Sequence, residues 1–154
     1  MKIQDLLQKK HLLIDLPTGE KAPLLEQMAR FLVSCHGLSN ADLVVRKILE
    51  READMSTGVG YGIAIPHTRI EGFEHAHMVA ARTLHPVEYD AIDDQPVRLV
   101  FMMASPVNTA TLHAQILSRL SAIMSRSETR EGLLRAPDAE AFLQVISDCE
   151  NTLT

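Results

Sequence analysis

One histidine stands out among the side chains whose type and surroundings could carry a reaction. His67 follows Ile63-Ala64-Ile65, a short apolar run that reads as a buried strand, and Pro66, which ends it. The core would anchor the backbone there, leaving the imidazole at a strand end, where sites form in α/β proteins. Upstream lies Ser56-Thr57-Gly58-Val59-Gly60-Tyr61-Gly62. Glycines in such a loop let backbone N–H groups approach an anion closely, and the two hydroxyls add donors. Arg51 precedes the loop at the end of a predicted helix, within reach of a phosphoryl oxygen for a guanidinium. A nucleophilic imidazole beside an anion cradle, with Ser56, Thr57 and Gly58 as holders, is what phosphoryl transfer through histidine requires. The same glycines could do no more than make a turn, with His67 a polar residue at a strand end. Spacing alone leaves both readings open.

The remaining histidines sort by setting. His113 lies in the first turns of a helix opened near Pro106, whose positive end disfavours a protonated ring. A neutral His113 could donate to a phosphoryl oxygen, or simply sit on the helix surface. His75 and His77 form an H-x-H pair that a strand would point to one face. No third ligand stands at a recognisable spacing, so no metal site is expected. His11, His36 and His85 lie beside predicted element ends and read as surface or boundary residues. The glycines at 58, 60 and 62 fit neither nucleotide-binding pattern, and no hydrolase signature is present.

The elements that must position these groups follow from periodicity. Leu24, Leu25, Met28, Phe31 and Leu32 recur at helical spacing over Lys21 to Cys35, with Gly37 as a stop and Ser39 or Asn40 as the next cap. A second helix is expected over about 41–51. Met78 to Thr83 and Val97 to Ala104 read as strands, the latter apolar enough to be covered on both faces. Leu112, Ile116, Leu117, Leu120, Ile123 and Met124 mark a helix, and two more are expected over Arg126 to Leu134 and Pro137 to Asn151. The expectation is a single α/β domain over residues 1–154, a mixed, mostly parallel sheet flanked by helices on both faces.

The bulk numbers bound the function. A chain of 154 residues with 46% hydrophobic and 23% charged residues can bury a core without staples. The net charge of -5 leaves no basic surplus for a nucleic-acid partner. Cys35 and Cys149 lie far apart, which suits free thiols in a reducing compartment. The polar N-terminus and the lack of a long apolar run point to a cytoplasmic protein without membrane insertion.

The run from Arg51 to His67, R-E-A-D-M-S-T-G-V-G-Y-G-I-A-I-P-H, resembles the signature of the mannitol/fructose-type IIA domains of the bacterial phosphoenolpyruvate-dependent sugar phosphotransferase system. It is most similar to their stand-alone nitrogen-regulatory branch, as is Asp90-Ala91-Ile92-Asp93-Asp94-Gln95-Pro96-Val97. The resemblance implies that His67 is phosphorylated, on Nε2, with His113 and Arg51 supporting the phosphoryl group. It implies HPr or its nitrogen-branch counterpart as donor, without cofactor or metal, and a regulatory target protein or a IIB domain as partner. A lone domain without an attached IIB or HPr-like segment favours the regulator. A contact-only module without transfer is the third reading, and a homodimer stays open. Met55, Thr68 and Ala114 depart from the family's usual glycine, glycine and leucine. Thr68 adjoins the nucleophile, so it bears on how a donor protein approaches.

Overall fold

The computed structural model describes residues 2–153, and its sheet is laid down around one central strand. The helices are α1 (Ile3–Leu6), α2 (Lys21–Cys35), α3 (Ala41–Asp54), α4 (Ala110–Met124), α5 (Ser127–Arg135) and α6 (Ala139–Glu150). The strands are β1 (Leu12–Leu16), β2 (Gly58–Gly60), β3 (Ile63–Ala64), β4 (His67–Ile70), β5 (His77–Val87) and β6 (Val97–Pro106), and a single 3-10 turn spans Lys9–His11. Sheet order is β1-β5-β6-β3-β2, with β4 also pairing with β6. The pairings β1–β5, β3–β6 and β4–β6 are parallel, while β2–β3 and β5–β6 are antiparallel. This is the expected mixed, mostly parallel sheet.

β6 shows why the sheet is central. Leu99, Phe101 and Met103 face one layer and Val100, Met102 and Ala104 the other, all buried. Period-two alternation with both sets apolar is the mark of a strand covered on both faces. On one side Leu24, Met28 and Leu32 of α2 and Val44 and Ile48 of α3 cover the sheet. On the other, Ile116, Leu120 and Ile123 of α4 and Phe142 and Ile146 of α6 do so.

α2 occupies the range its periodicity predicted. α3 runs one turn further than expected, to Asp54, which carries Arg51 inside the helix's last turn. Pro137 does not open α6; it precedes Asp138, whose carboxylate accepts the Ala141 N–H at 2.8 Å as the N-cap. Within the expected glycine loop Gly58–Gly60 forms β2, which pairs antiparallel with the expected strand at Ile63–Ala64.

Two buried charges brace the periphery. Arg82 donates to the carbonyls of Leu133 and Ala136, at 2.9 and 2.7 Å, where α5 ends, and to the Asp15 carboxylate at 2.9 Å. Glu150, with no exposed surface, accepts the backbone N–H groups of Ile3 at 2.7 Å and Gln4 at 2.8 Å and the Arg119 guanidinium at 2.6 Å. It thereby satisfies the free donors at the start of α1. No helix among the described residues is long and apolar enough to cross a membrane.

Candidate functional site

His67 opens β4, a strand absent from the sequence expectation. Ile63 and Ala64 pair with Leu99 and Val100, and His67 to Ile70 pair with Met103 to Pro106, so one register runs unbroken along β6. The interruption is Pro66, which has no N–H to give; its carbonyl still accepts the Met103 N–H at 3.0 Å. The nucleophile candidate is therefore fixed to the core by a strand rather than carried on a loop. Its Nδ1 lies 2.7 Å from the Ile65 carbonyl oxygen. A carbonyl can only accept, so Nδ1 carries the proton and Nε2 keeps its lone pair. Burial draws the ring's pKa below 6.5; the Ile65 carbonyl acts against this, while the Arg51 charge acts with it.

His113, buried in the first turn of α4, packs edge-on against His67 with ring centroids 5.2 Å apart. Its Nδ1 lies 2.5 Å from the hydroxyl oxygen of Ser105, a fully buried residue of β6. Burial, then the neighbouring His67, Arg69 and Arg51, lowers its pKa to about 4. Both rings are thus neutral at physiological pH.

β4 has β6 on one side and no strand on the other among the described residues. At this edge a cleft of about 650 Å³ opens between α3 and α4, lined by Lys47, Glu50, Arg51, Asp54, His67, Thr68, Arg69, His113, Ala114 and Leu117. Arg51 is held by a bond from Nη1 to the Met55 carbonyl at 3.1 Å. Arg69 stands two residues beyond His67, on the same face of the strand. Arg51 and Arg69 beside two neutral imidazoles make a site suited to an anion, while Lys47 is paired with Glu50 at 3.9 Å and Asp54 adds a second carboxylate to the lining.

The structure thus brings His67, His113 and Arg51 together. Ser56, Thr57 and Gly58 do not line the cleft, and their polar groups are engaged elsewhere. Glu52 accepts both the N–H and the hydroxyl of Thr57, at 2.8 and 2.6 Å, and Lys21 sits 3.0 Å from the same carboxylate. The Ser56 hydroxyl donates to the Tyr89 carbonyl at 3.1 Å and receives the Gly58 N–H at 3.2 Å. Gly58 meets a different need: a Cβ there would stand 2.7 Å from Ala91 Cβ. These residues bolt the hairpin to α3 and to Tyr89. Arg69 is the residue the sequence reading missed, and its signal was the period-two step from His67. Of the three departures, Thr68 is buried while Met55 and Ala114 are exposed. Of the H-x-H pair only His77 lies on β5, and the two rings stand 6.5 Å apart. His77 instead meets His36, which itself stacks on His11. His11 and His36, read as boundary residues, join with Cys35 as the described residues grouped closely enough to hold a cation.

Comparison with known proteins places this arrangement. A nitrogen regulatory protein of Pseudomonas aeruginosa is 32% identical over 151 residues, covering 98% of each chain. A fructose-specific EIIABC component of Bacillus subtilis is 34% identical over 147 residues, which are 96% of this chain and 23% of that longer protein. The crystal structure of the nitrogen regulatory protein IIA-Ntr from Neisseria meningitidis superposes with a TM-score of 0.88 at 34% identity, covering 94% of this chain and 98% of that one. The model of the family described as "Phosphoenolpyruvate-dependent sugar phosphotransferase system, EIIA 2" matches residues 5–149. With nearly the whole chain matched and the fold shared, this protein belongs to that EIIA family.

Proposed function

We propose that the chain, as one IIA domain over residues 1–154, is a cytoplasmic phosphohistidine carrier that accepts a phosphoryl group on Nε2 of His67 and serves as a regulator in the nitrogen branch of the phosphotransferase system. HPr or its nitrogen-branch counterpart is the donor. The observation that carries this reading is the Nδ1–H of His67 held by the Ile65 carbonyl, which leaves Nε2 as the ring's lone-pair nitrogen in a cationic cleft.

The reaction follows from that tautomer. The Nε2 lone pair attacks the phosphorus of the donor's phosphohistidine; the donor's N–P bond breaks, and its electron pair returns to the donor ring. His113, through an Nε2–H, and Arg51 and Arg69 stabilise the three phosphoryl oxygens. His67 keeps its Nδ1 proton, so the phosphorylated ring is cationic and can later leave as a neutral imidazole. The phosphoryl oxygens carry roughly −2, offset by the cationic ring to a net change of about −1, and that charge at the cleft changes which protein surfaces can dock there.

Intact-mass measurement after mixing with phosphoenolpyruvate, enzyme I and each HPr tests the reading. One acid-labile phosphoryl group, absent in His67→Ala, is the expected result. A label that survives in His67→Ala moves the site elsewhere, and no label with either donor leaves a contact-only module. Transfer onward to a IIB domain is the second use of the same chemistry. The alignment with the fructose-specific EIIABC component supports it, and incubating the labelled protein with a IIB domain decides it.

A further inference from the structure

Three side chains that the phosphoryl chemistry does not use converge beyond β5, with β6 between them and the cleft. His11 ends the 3-10 turn, Cys35 is the last residue of α2, and His36 caps that helix. One nitrogen from each ring and the thiol sulfur lie within 4.8 Å of one another. The His11 and His36 rings stack at 4.1 Å, and His77 stands 4.7 Å from His36.

His11 is 5% exposed, and its Nε2 is the buried side-chain nitrogen left without a hydrogen-bond partner among the described residues. An unsatisfied buried polar group is destabilising, and an apolar side chain would avoid the cost. His36 is arranged differently: its Nε2–H donates to the Met78 carbonyl at 2.9 Å, so Nδ1 keeps its lone pair. A ring that spends its N–H on a backbone carbonyl and turns the other nitrogen inward is oriented as metal-bound imidazoles are. Cys35 and His36 are each half-buried, which leaves an entry path.

We propose that His11 Nε2, Cys35 Sγ and His36 Nδ1 form a binding site for a zinc-class divalent cation, with a water in the fourth position. Two imidazoles and a thiolate are the donor set of borderline-soft cations, whereas calcium and magnesium take oxygen ligands. The protons balance as follows. The Cys35 thiol releases its proton to solvent as the sulfur binds. His36 uses a lone pair it already has. At His11, Nδ1 now accepts the Gln8 N–H at 3.0 Å, which places the ring proton on Nε2. On binding, that proton moves to Nδ1 and the Gln8 bond is given up. The loss of one backbone bond is small against what thiolate and imidazole coordination of zinc returns. The ligand atoms must also draw together from their spacing of up to 4.8 Å. Binding would fasten the 3-10 turn before β1 to the end of α2.

Cobalt titration of the untagged chain, under a non-thiol reductant, tests this site without any phosphoryl donor. The expected result is one cobalt per chain, visible d–d bands of tetrahedral intensity and a thiolate-to-cobalt charge-transfer band, all displaced by zinc. Cys35→Ser should lose the charge-transfer band and His36→Gln should weaken binding at least tenfold, while Cys149→Ser keeps the wild-type spectrum. Circular dichroism of each apo variant confirms that it is folded. Absence of the charge-transfer band in the wild type overturns the proposal. So does a band that survives Cys35→Ser or disappears with Cys149→Ser. Bands without thiolate character would place cobalt on the other histidines and overturn it equally.

Discussion

The hydroxyl of Ser105 and Nδ1 of His113 sit 2.5 Å apart with both residues buried, so the serine decides which ring nitrogen of His113 carries the proton. Only if Ser105 donates does His113 keep an Nε2–H for a phosphoryl oxygen. Ser105→Ala removes that control. Phosphoryl transfer to His67 should slow about tenfold, the kinetic equivalent of one neutral hydrogen bond of roughly 1.4 kcal/mol. Nitrogen chemical shifts of the His113 ring should move from the Nε2–H form toward a mixture. A wild-type shift pattern in the variant would make Ser105 a packing residue.

Arg69 shares the cleft with Arg51 and reaches it from the same strand as the nucleophile. Arg69→Ala should reduce the rate of phosphorylation on the order of 10²-fold, as loss of one charge-stabilising donor does, without changing the thermal midpoint appreciably. Rapid-quench labelling at saturating donor measures it, and an unchanged rate would leave the phosphoryl oxygens to Arg51 and His113.

Gly58 is where the hairpin passes Ala91 too closely for a side chain. Gly58→Ala would press its Cβ to 2.7 Å from Ala91 Cβ, so about 1–3 kcal/mol of stability should be lost to overpacking. A urea melt reports this directly. A neutral outcome would mean that the loop carrying Ala91 yields.

Acid should weaken the fold through its buried histidines. Burial lowers His77 and His113 to about 4, His77 being lowered further by His36 and His75, while His11 and His67 shift in the same direction. Each of these rings binds fewer protons folded than unfolded. Their contribution is therefore complete above the unfolded value of 6.5 and is lost as pH falls from there toward about 4. The urea midpoint should fall steadily over that window, whereas His67, lowered by burial, keeps its neutral form to lower pH than a free imidazole does. Equal midpoints at about pH 7 and about pH 5 would contradict the burial of these rings.

Much of this was legible in the chain itself. Leu24, Met28 and Leu32 repeat at helical spacing, and α2 fills the range they mark. The apolar run Leu99 to Ala104 within β6 announced a strand covered on both faces, and His67 and Arg51 drew notice by their setting. β4 stayed hidden because His67-Thr68-Arg69-Ile70 follows a proline and carries two polar outward residues; its strand character comes from the β6 ladder. Arg69 was missed with it. The hydroxyls of Ser56 and Thr57 looked free because nothing local reveals that Glu52 and Tyr89 claim them. His11, His36 and His77 could not be grouped from spacing, since only the packing of β1 and α2 against β5 joins positions so far apart.

The bonds from Ile3 and Gln4 to the Glu150 carboxylate also set an order of events during synthesis. Ile3 leaves the ribosome 147 positions ahead of its partner, so α1 has no acceptor for its leading amides while nearly all the rest of the chain is made. A four-residue helix cannot hold itself together in that interval. The apolar Ile3 and Leu7 must wait, unplaced, until α6 emerges and docks. The nascent chain therefore keeps a sticky leading segment until its final helix arrives, and that interval is when a chaperone would be most useful to it.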